Sequence, residues 1–295
     1  MGATSSSTPV IIEAAVNGPT TREANPNVPI SGEEIASDAI ACFDAGAAIV
    51  HAHCSPVGGP DEEVAQRYLD AFLPVWDARP GALLYPTLNF GPDSDGLGHL
   101  PTLAAHGLRI GPLDPGSVNL GRVDDRGVPV GGFVYANSYR WIAEHVALHA
   151  ELDLGMSLAI YEPGFLRTTL AYERAGLIPP GTMLKLYLST ERGILGAPFG
   201  LPPTLTALHA YLELLEGSSL PWAVSVVGGD VGRSEVAVAA LERGGHLHLG
   251  LEFYGGERTP SNPDLVGEAV DLCERVGRPV ATHDETVALL DLPER

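Results

Sequence analysis

Short runs of β-branched and large apolar residues alternate along the chain with longer stretches whose apolar positions recur every three or four residues. The first pattern marks buried strands and the second amphipathic helices. Strands are predicted at 9–16, 47–53, 82–89, 117–121, 154–161, 183–189, 222–227 and 246–252, and helices near 32–45, 61–77, 97–106, 138–151, 164–175, 204–215, 233–242 and 263–276. The first helix opens with Ser31-Gly32-Glu33-Glu34, an S-x-x-E capping box. Gly46, Gly107, Gly176 and Gly277 stand just past helix ends, where left-handed backbone closes the last turn. A tail over 280–290 adds one short strand-like piece and a helix. Eight strand–helix units in 295 residues predict an α/β fold, a (β/α)₈ barrel. Nothing reads as a linker, so 1–295 is expected to be a single barrel domain, with 1–8 frayed. A doubly wound open sheet is the alternative, and the lack of G-x-G-x-x-G after the first strand counts against it. Two loops are long, 17–31 and 189–204. Both follow strand C-terminal ends, where barrel enzymes build their sites.

Composition narrows the class. With 45% hydrophobic residues the chain has the apolar content of a folded domain, not of a disordered one. A net charge of −20 repels nucleic acid and anionic membranes, but leaves room for an anionic small substrate where a metal or local cation dominates. Lys185 is the single lysine, so a lysine Schiff base has one candidate. Cys42, Cys54 and Cys273 form no disulfide framework, which points to a reducing, cytoplasmic setting. No apolar run approaches a membrane span. The start, MGATSSST, fits the beginning of a myristoylation pattern and is read as a frayed end rather than a signal.

Candidate chemistry concentrates at strand ends. In Val50-His51-Ala52-His53, alternation turns both histidines to one face, about 6.5 Å apart at Cα. Two imidazoles so placed suit zinc or another borderline transition metal; the plain alternative is a pair packed in a polar barrel mouth. In the last strand, alternation groups His246, His248, Gly250 and Glu252. An inward carboxylate wants a cation, and strand eight of a barrel closes on strand one. His51, His53 and Glu252 would then make a His₂Glu set with an open position, the composition of catalytic zinc. The competing partner for Glu252 is Arg258. Glu13 and Asn17 share a face in the first strand, Asn89 closes the third, Ser117 and Asn119 lie in the fourth, and Glu162 ends the fifth. Each can equally serve a loop backbone. Gly228-Gly229-Asp230-Val231-Gly232 offers backbone N–H groups to a phosphate, or a tight turn.

With those residues in place, the chain resembles the β-keto acid cleavage enzymes, typified by 3-keto-5-aminohexanoate cleavage enzyme. The resemblance runs through Ala15-Val16-Asn17-Gly18-Pro19-Thr20-Thr21-Arg22, Asn25-Pro26-Asn27-Val28-Pro29, His51-Ala52-His53, Ser117-Val118-Asn119, Trp222-Ala223-Val224, Gly250-Leu251-Glu252, Pro260-Ser261-Asn262 and Gly277-Arg278-Pro279-Val280-Ala281-Thr282. It implies a barrel holding zinc on His51, His53 and Glu252, and a retro-Claisen exchange in which a β-keto acid and acetyl-CoA give acetoacetate and a new acyl-CoA. It also implies a homo-oligomer, a dimer or tetramer. Ser117 falls where the family has a hydroxyl near the substrate, and Asn17, Asn89 and Asn119 are the other expected substrate contacts. Four departures stand out. The third strand ends Thr87-Leu88-Asn89-Phe90-Gly91 instead of a Ser-Thr-Gly-Gly-like turn. His248 replaces an arginine, and Phe253 replaces an aspartate. A glutamate often found in the first loop has no counterpart between Gly18 and Thr20. Glu13 and His248 are the expected catalytic replacements. A zinc-dependent lyase or aldolase without CoA, and a metal-dependent binding protein that has lost the dyad, are the alternatives.

Overall fold

A computed structural model describes residues 8–293. The chain begins with β1 (Ile12–Ala15), α1 (Gly32–Ala45), β2 (Ile49–Ala52), α2 (Asp61–Ala78), β3 (Leu83–Pro86), α3 (Leu100–Ala105) and β4 (Ile110–Leu113). A hairpin follows, β5 (Val118–Val123) with β6 (Pro129–Tyr135). Then come α4 (Tyr139–Glu151), β7 (Gly155–Ile160), α5 (Pro163–Arg174), β8 (Met183–Ser189), α6 (Leu205–Leu214), β9 (Trp222–Val227), α7 (Glu235–Glu242), β10 (His246–Leu249), α8 (Asn262–Val276) and α9 (His283–Leu290).

Eight of these strands are parallel and run in the order β3-β2-β1-β10-β9-β8-β7-β4. β3 and β4 lie side by side without a hydrogen-bonded ladder among the described residues, so the (β/α)₈ barrel is nearly closed, with one seam. Helices bury their apolar faces against its outside, as the alternating strand–helix pattern requires. The Ser31 capping box forms as its sequence dictates: Ser31 Oγ accepts from Glu34 N, and Glu34 accepts from Ser31 N.

The N-terminal end of the barrel is plugged. Ile11, Ile49, Leu83, Ile110, Met183 and Ala223 point inward, and Leu290 and Leu292 at the end of α9 pack against them. Gly181 N donates to Leu290 O at 2.7 Å, which ties that plug to the loop before β8. The mouth at the strand C-terminal ends is the open one. Of the expected frayed segment, Thr8 is held, its carbonyl accepting from Arg278; residues 1–7, with the myristoylation-like start, lie outside the described residues. The three cysteines are buried and unpaired. No helix among the described residues is long and apolar enough to cross a membrane.

Two strand assignments differ from expectation. The segment at 117–121 is not the fourth barrel strand; it begins the hairpin, whose outer face is exposed. The barrel strand is Ile110-Gly111-Pro112-Leu113, whose glycine and proline conceal it from propensity rules. Gly111 is needed because a Cβ there would come within 2.5 Å of His149 Nε2. The last strand stops at Leu249. Gly250, at φ +127°, turns the chain out of extended backbone before Glu252.

Candidate active site

His51 sits in β2 and His53 just beyond it, while Glu252 arrives from the turn after β10. β1 pairs with both β2 and β10, which brings the two segments together. His51 Nε2 is 3.3 Å and His53 Nε2 3.2 Å from the Glu252 carboxylate, and the two Nε2 atoms are 3.0 Å apart. All three donor atoms fall within 4.8 Å of one another. Glu252 Oε2 is buried without a hydrogen-bond partner. Such an orphan oxygen facing two imidazole nitrogens is the donor set of a divalent metal site.

The surroundings fix these donors. His51 Nδ1 is 3.2 Å from Tyr85 O, so with a proton on Nδ1 the His51 Nε2 lone pair is free. Asn17 bridges the other side. Its Oδ1 accepts from His53 N and Gly18 N at 2.8 Å each, and its Nδ2 donates to His53 O and Pro29 O. Gly18, at φ +52°, has no room for a side chain, because a Cβ would run into Glu252. Burial lowers the His51 pKa well below the ordinary imidazole value, Glu252 opposing, which leaves His51 neutral. Burial would raise the Glu252 carboxyl, but His53 and His51 more than offset this and hold it at about 2. A neutral imidazole and an ionised carboxylate are the protonation states that ligate metal.

These donors open onto a cavity of about 370 Å³. Its polar wall is Tyr85, Asp114, Ser157 and Lys185. Its far wall is apolar and aromatic, with Tyr161, Tyr187 and Phe253 from the barrel, and Leu120, Phe133 and Tyr135 from the hairpin. Tyr135 donates to Asp114 Oδ2 at 2.6 Å, and burial raises that carboxyl to about 6 against this bond.

Glu13 and His248 lie below this wall. Both are fully buried and neither lines the cavity. His248 Nε2 is 3.5 Å from Glu13 Oε1, and neither His248 nitrogen has a hydrogen-bond partner. Tyr85 donates its hydroxyl to Glu13, and Lys185 Nζ is 3.6 Å from the same carboxylate. Burial raises the Glu13 pKa, with Lys185 opposing, and burial with Lys185 lowers His248 well below its usual value.

The remaining sequence candidates stand elsewhere. Asn89 binds Gly59 O and Asp61, bracing the loop after β3. Ser117 and Asn137 exchange hydrogen bonds at the hairpin base. Asn119 is exposed on the hairpin, paired with Val134. None of the three lines the cavity. Glu162 caps a loop by accepting from Gly200 N. His246 accepts from Ile11 N at 3.0 Å and belongs to the barrel floor. In the glycine cluster, Gly228 N is spent on Phe253 O and Gly229 N on Val226 O. Arg258 pairs with Glu268 and Asp230, not Glu252. Tyr85, Asp114 and Ser157 were not singled out by sequence. Lys185 stood out in the sequence only as the single lysine.

A sequence model of the beta-keto acid cleavage enzymes matches residues 9–292. The chain belongs to the beta-keto acid cleavage enzyme family. The 3-keto-5-aminohexanoate cleavage enzyme of Fusobacterium nucleatum is 25% identical over 96% of this chain and 98% of its own length. The 3-oxoadipate:acetyl-CoA acetyltransferase of Cupriavidus necator is 28% identical over 97% and 95%. The 3-dehydrocarnitine:acetyl-CoA trimethylamine transferase of Rhizobium meliloti is 25% identical over 97% of both. The structure of ObcA with oxaloacetate matches at a TM-score of 0.65 and 15% identity, covering 91% of this chain and 68% of that one, which shows the shared barrel. As a beta-keto acid cleavage enzyme, the chain is an enzyme of a C–C-bond-cleaving family. Phe253, the residue after Glu252, packs its ring on His248, 5.9 Å between centroids.

Proposed function

We propose that this protein exchanges acyl groups between a small β-keto carboxylate and acetyl-CoA, giving acetoacetate and a new acyl-CoA, with zinc held by His51, His53 and Glu252. The observation that carries the reading is the convergence of those three donors, with an orphan carboxylate oxygen, on a cavity that has both polar and aromatic walls. When bound, the ion supplies Lewis-acid polarisation of the substrate's keto and carboxylate oxygens. Asn17 and the Tyr85 carbonyl keep the imidazoles oriented. The aromatic far wall excludes water from the reacting acyl group and accepts its side chain. Glu13 and His248 act from one layer below, as positioning residues behind Tyr85 and Lys185. Full-length relatives named as acetyl-CoA-dependent transferases support the co-substrate. Unpaired cysteines support a cytoplasmic setting.

The test is metal analysis of the purified protein, followed by a panel of β-keto acids with and without acetyl-CoA. One zinc per chain and acetoacetate release that requires acetyl-CoA are expected. Cleavage at equal rate without acetyl-CoA would assign a lyase instead. Metal binding with no turnover of any panel member would leave a binding protein.

A further inference from the structure

The family resemblance places an arginine where this chain has His248, yet His248 is fully buried and does not line the cavity. An anionic β-keto acid entering a chain of net charge −20 still needs a positive group besides the metal. Lys185 is the one lysine or arginine among the residues lining the cavity. We propose that Lys185 binds the substrate carboxylate, from β8 rather than β10.

The geometry prepares it for that contact. Lys185 pairs with Ala159 across β7 and β8, and Ser157 stands two residues before Ala159, so both side chains enter the cavity from adjacent strands. Its ammonium donates to Tyr85 Oη at 2.7 Å and lies 3.6 Å from Glu13 Oε1. It also sits 4.9 Å from the Tyr85 ring centroid. An ammonium has three N–H donors. One goes to Tyr85, one points to Glu13, and one is left for a ligand. Tyr85 in turn stacks on His51 at 4.4 Å, so the same side chain orients the cation and backs the metal cage. Ser157 also lines the cavity and neighbours the Tyr85 hydroxyl, a second polar side chain beside the ammonium.

This inference rests on the β-keto acid reading above, and the experiment separates the two. Acetoacetate binding to zinc-loaded protein is measured by calorimetry, with zinc content measured in parallel. Lys185→Met is expected to weaken binding about 10- to 100-fold, as loss of a hydrogen bond to a charged group does, at unchanged zinc content. Because that variant strands the Glu13 carboxylate, Glu13→Gln/Lys185→Met is tested beside it and should show the same loss. Lys185→Cys alkylated with bromoethylamine rebuilds a lysine-length ammonium and should recover most of the binding. Equal affinity in wild type and both lysine-less variants overturns the proposal and leaves the function reading standing. So does a borohydride-trapped acetoacetate adduct on Lys185, which would make it an imine-forming amine. Loss of zinc in both variants also overturns it, making Lys185 a support of the cage. Wild-type protein that neither binds acetoacetate nor exchanges it with an acyl-CoA overturns both.

Discussion

A Cβ at position 18 would collide with the Glu252 side chain, and Gly18 holds φ +52° besides. Gly18→Ala should therefore displace a proposed ligand without touching it chemically. Zinc content of the purified variant should fall to the level of Glu252→Gln; a full zinc complement would show that the loop yields instead. Asn17 acts on the opposite side of the cage, where one side chain holds His53, Gly18 and Pro29 through four hydrogen bonds. Asn17→Ala should weaken metal affinity about 10- to 100-fold, measured by competition with a chromophoric chelator. His51 and His53 were legible because period-two alternation is a local rule and both lie at a strand end. Glu252 was named by the same rule, although Gly250 breaks the strand before it. Its arrival is set by the first-loop glycine and by the Ala15 carbonyl that accepts from Glu252 N, contacts more than two hundred positions apart that no window reveals. Tyr85 and Ser157 stayed hidden for the opposite reason, since single polar groups in apolar strands read as ordinary core.

At the scale of elements, the parallel strands rich in Val, Ile and Leu read directly from the sequence, and β4 did not. Its Gly-Pro pair suppresses the strand signal, while the following Ser-Val-Asn-Leu run imitates one. The hairpin so disguised supplies Leu120, Phe133 and Tyr135 to the cavity, so the misread segment is part of the substrate wall. Gly111 is the point where β4 meets α4: His149 Nε2 and Leu100 Cδ1 stand where its Cβ would be. Gly111→Ala should destabilise the barrel by about 1–3 kcal/mol through overpacking, seen as a lower urea midpoint with an unchanged slope. A midpoint equal to the parent's would mean that α4 shifts at no cost.

For the whole molecule, buried neutral histidines set the acid limit. Burial lowers His99 and His149 to about 4 and His246 to about 3, the last with Arg278 adding to the effect. Each binds a proton more readily unfolded, near 6.5. Stability from this source is complete above pH 6.5 and is lost as pH falls toward 3–4, because the unfolded chain takes up protons first. One unit between the two proton affinities is about 1.4 kcal/mol, so the urea midpoint should drop steeply across that window. His246→Asn keeps an acceptor for Ile11 N–H and cannot charge, so its midpoint should fall less steeply. A parallel decline in variant and parent would place the acid sensitivity in other groups. The single buried lysine has a consequence of a different kind. Apart from the chain's α-amine, the described fold offers amine-reactive reagents one target, Lys185, whose side chain is 4% exposed. Lys185 lines the cavity, so acylation there must enter by the cavity mouth, and mass-resolved labelling over time would count entry events molecule by molecule, without a dye, a tag or a denaturant.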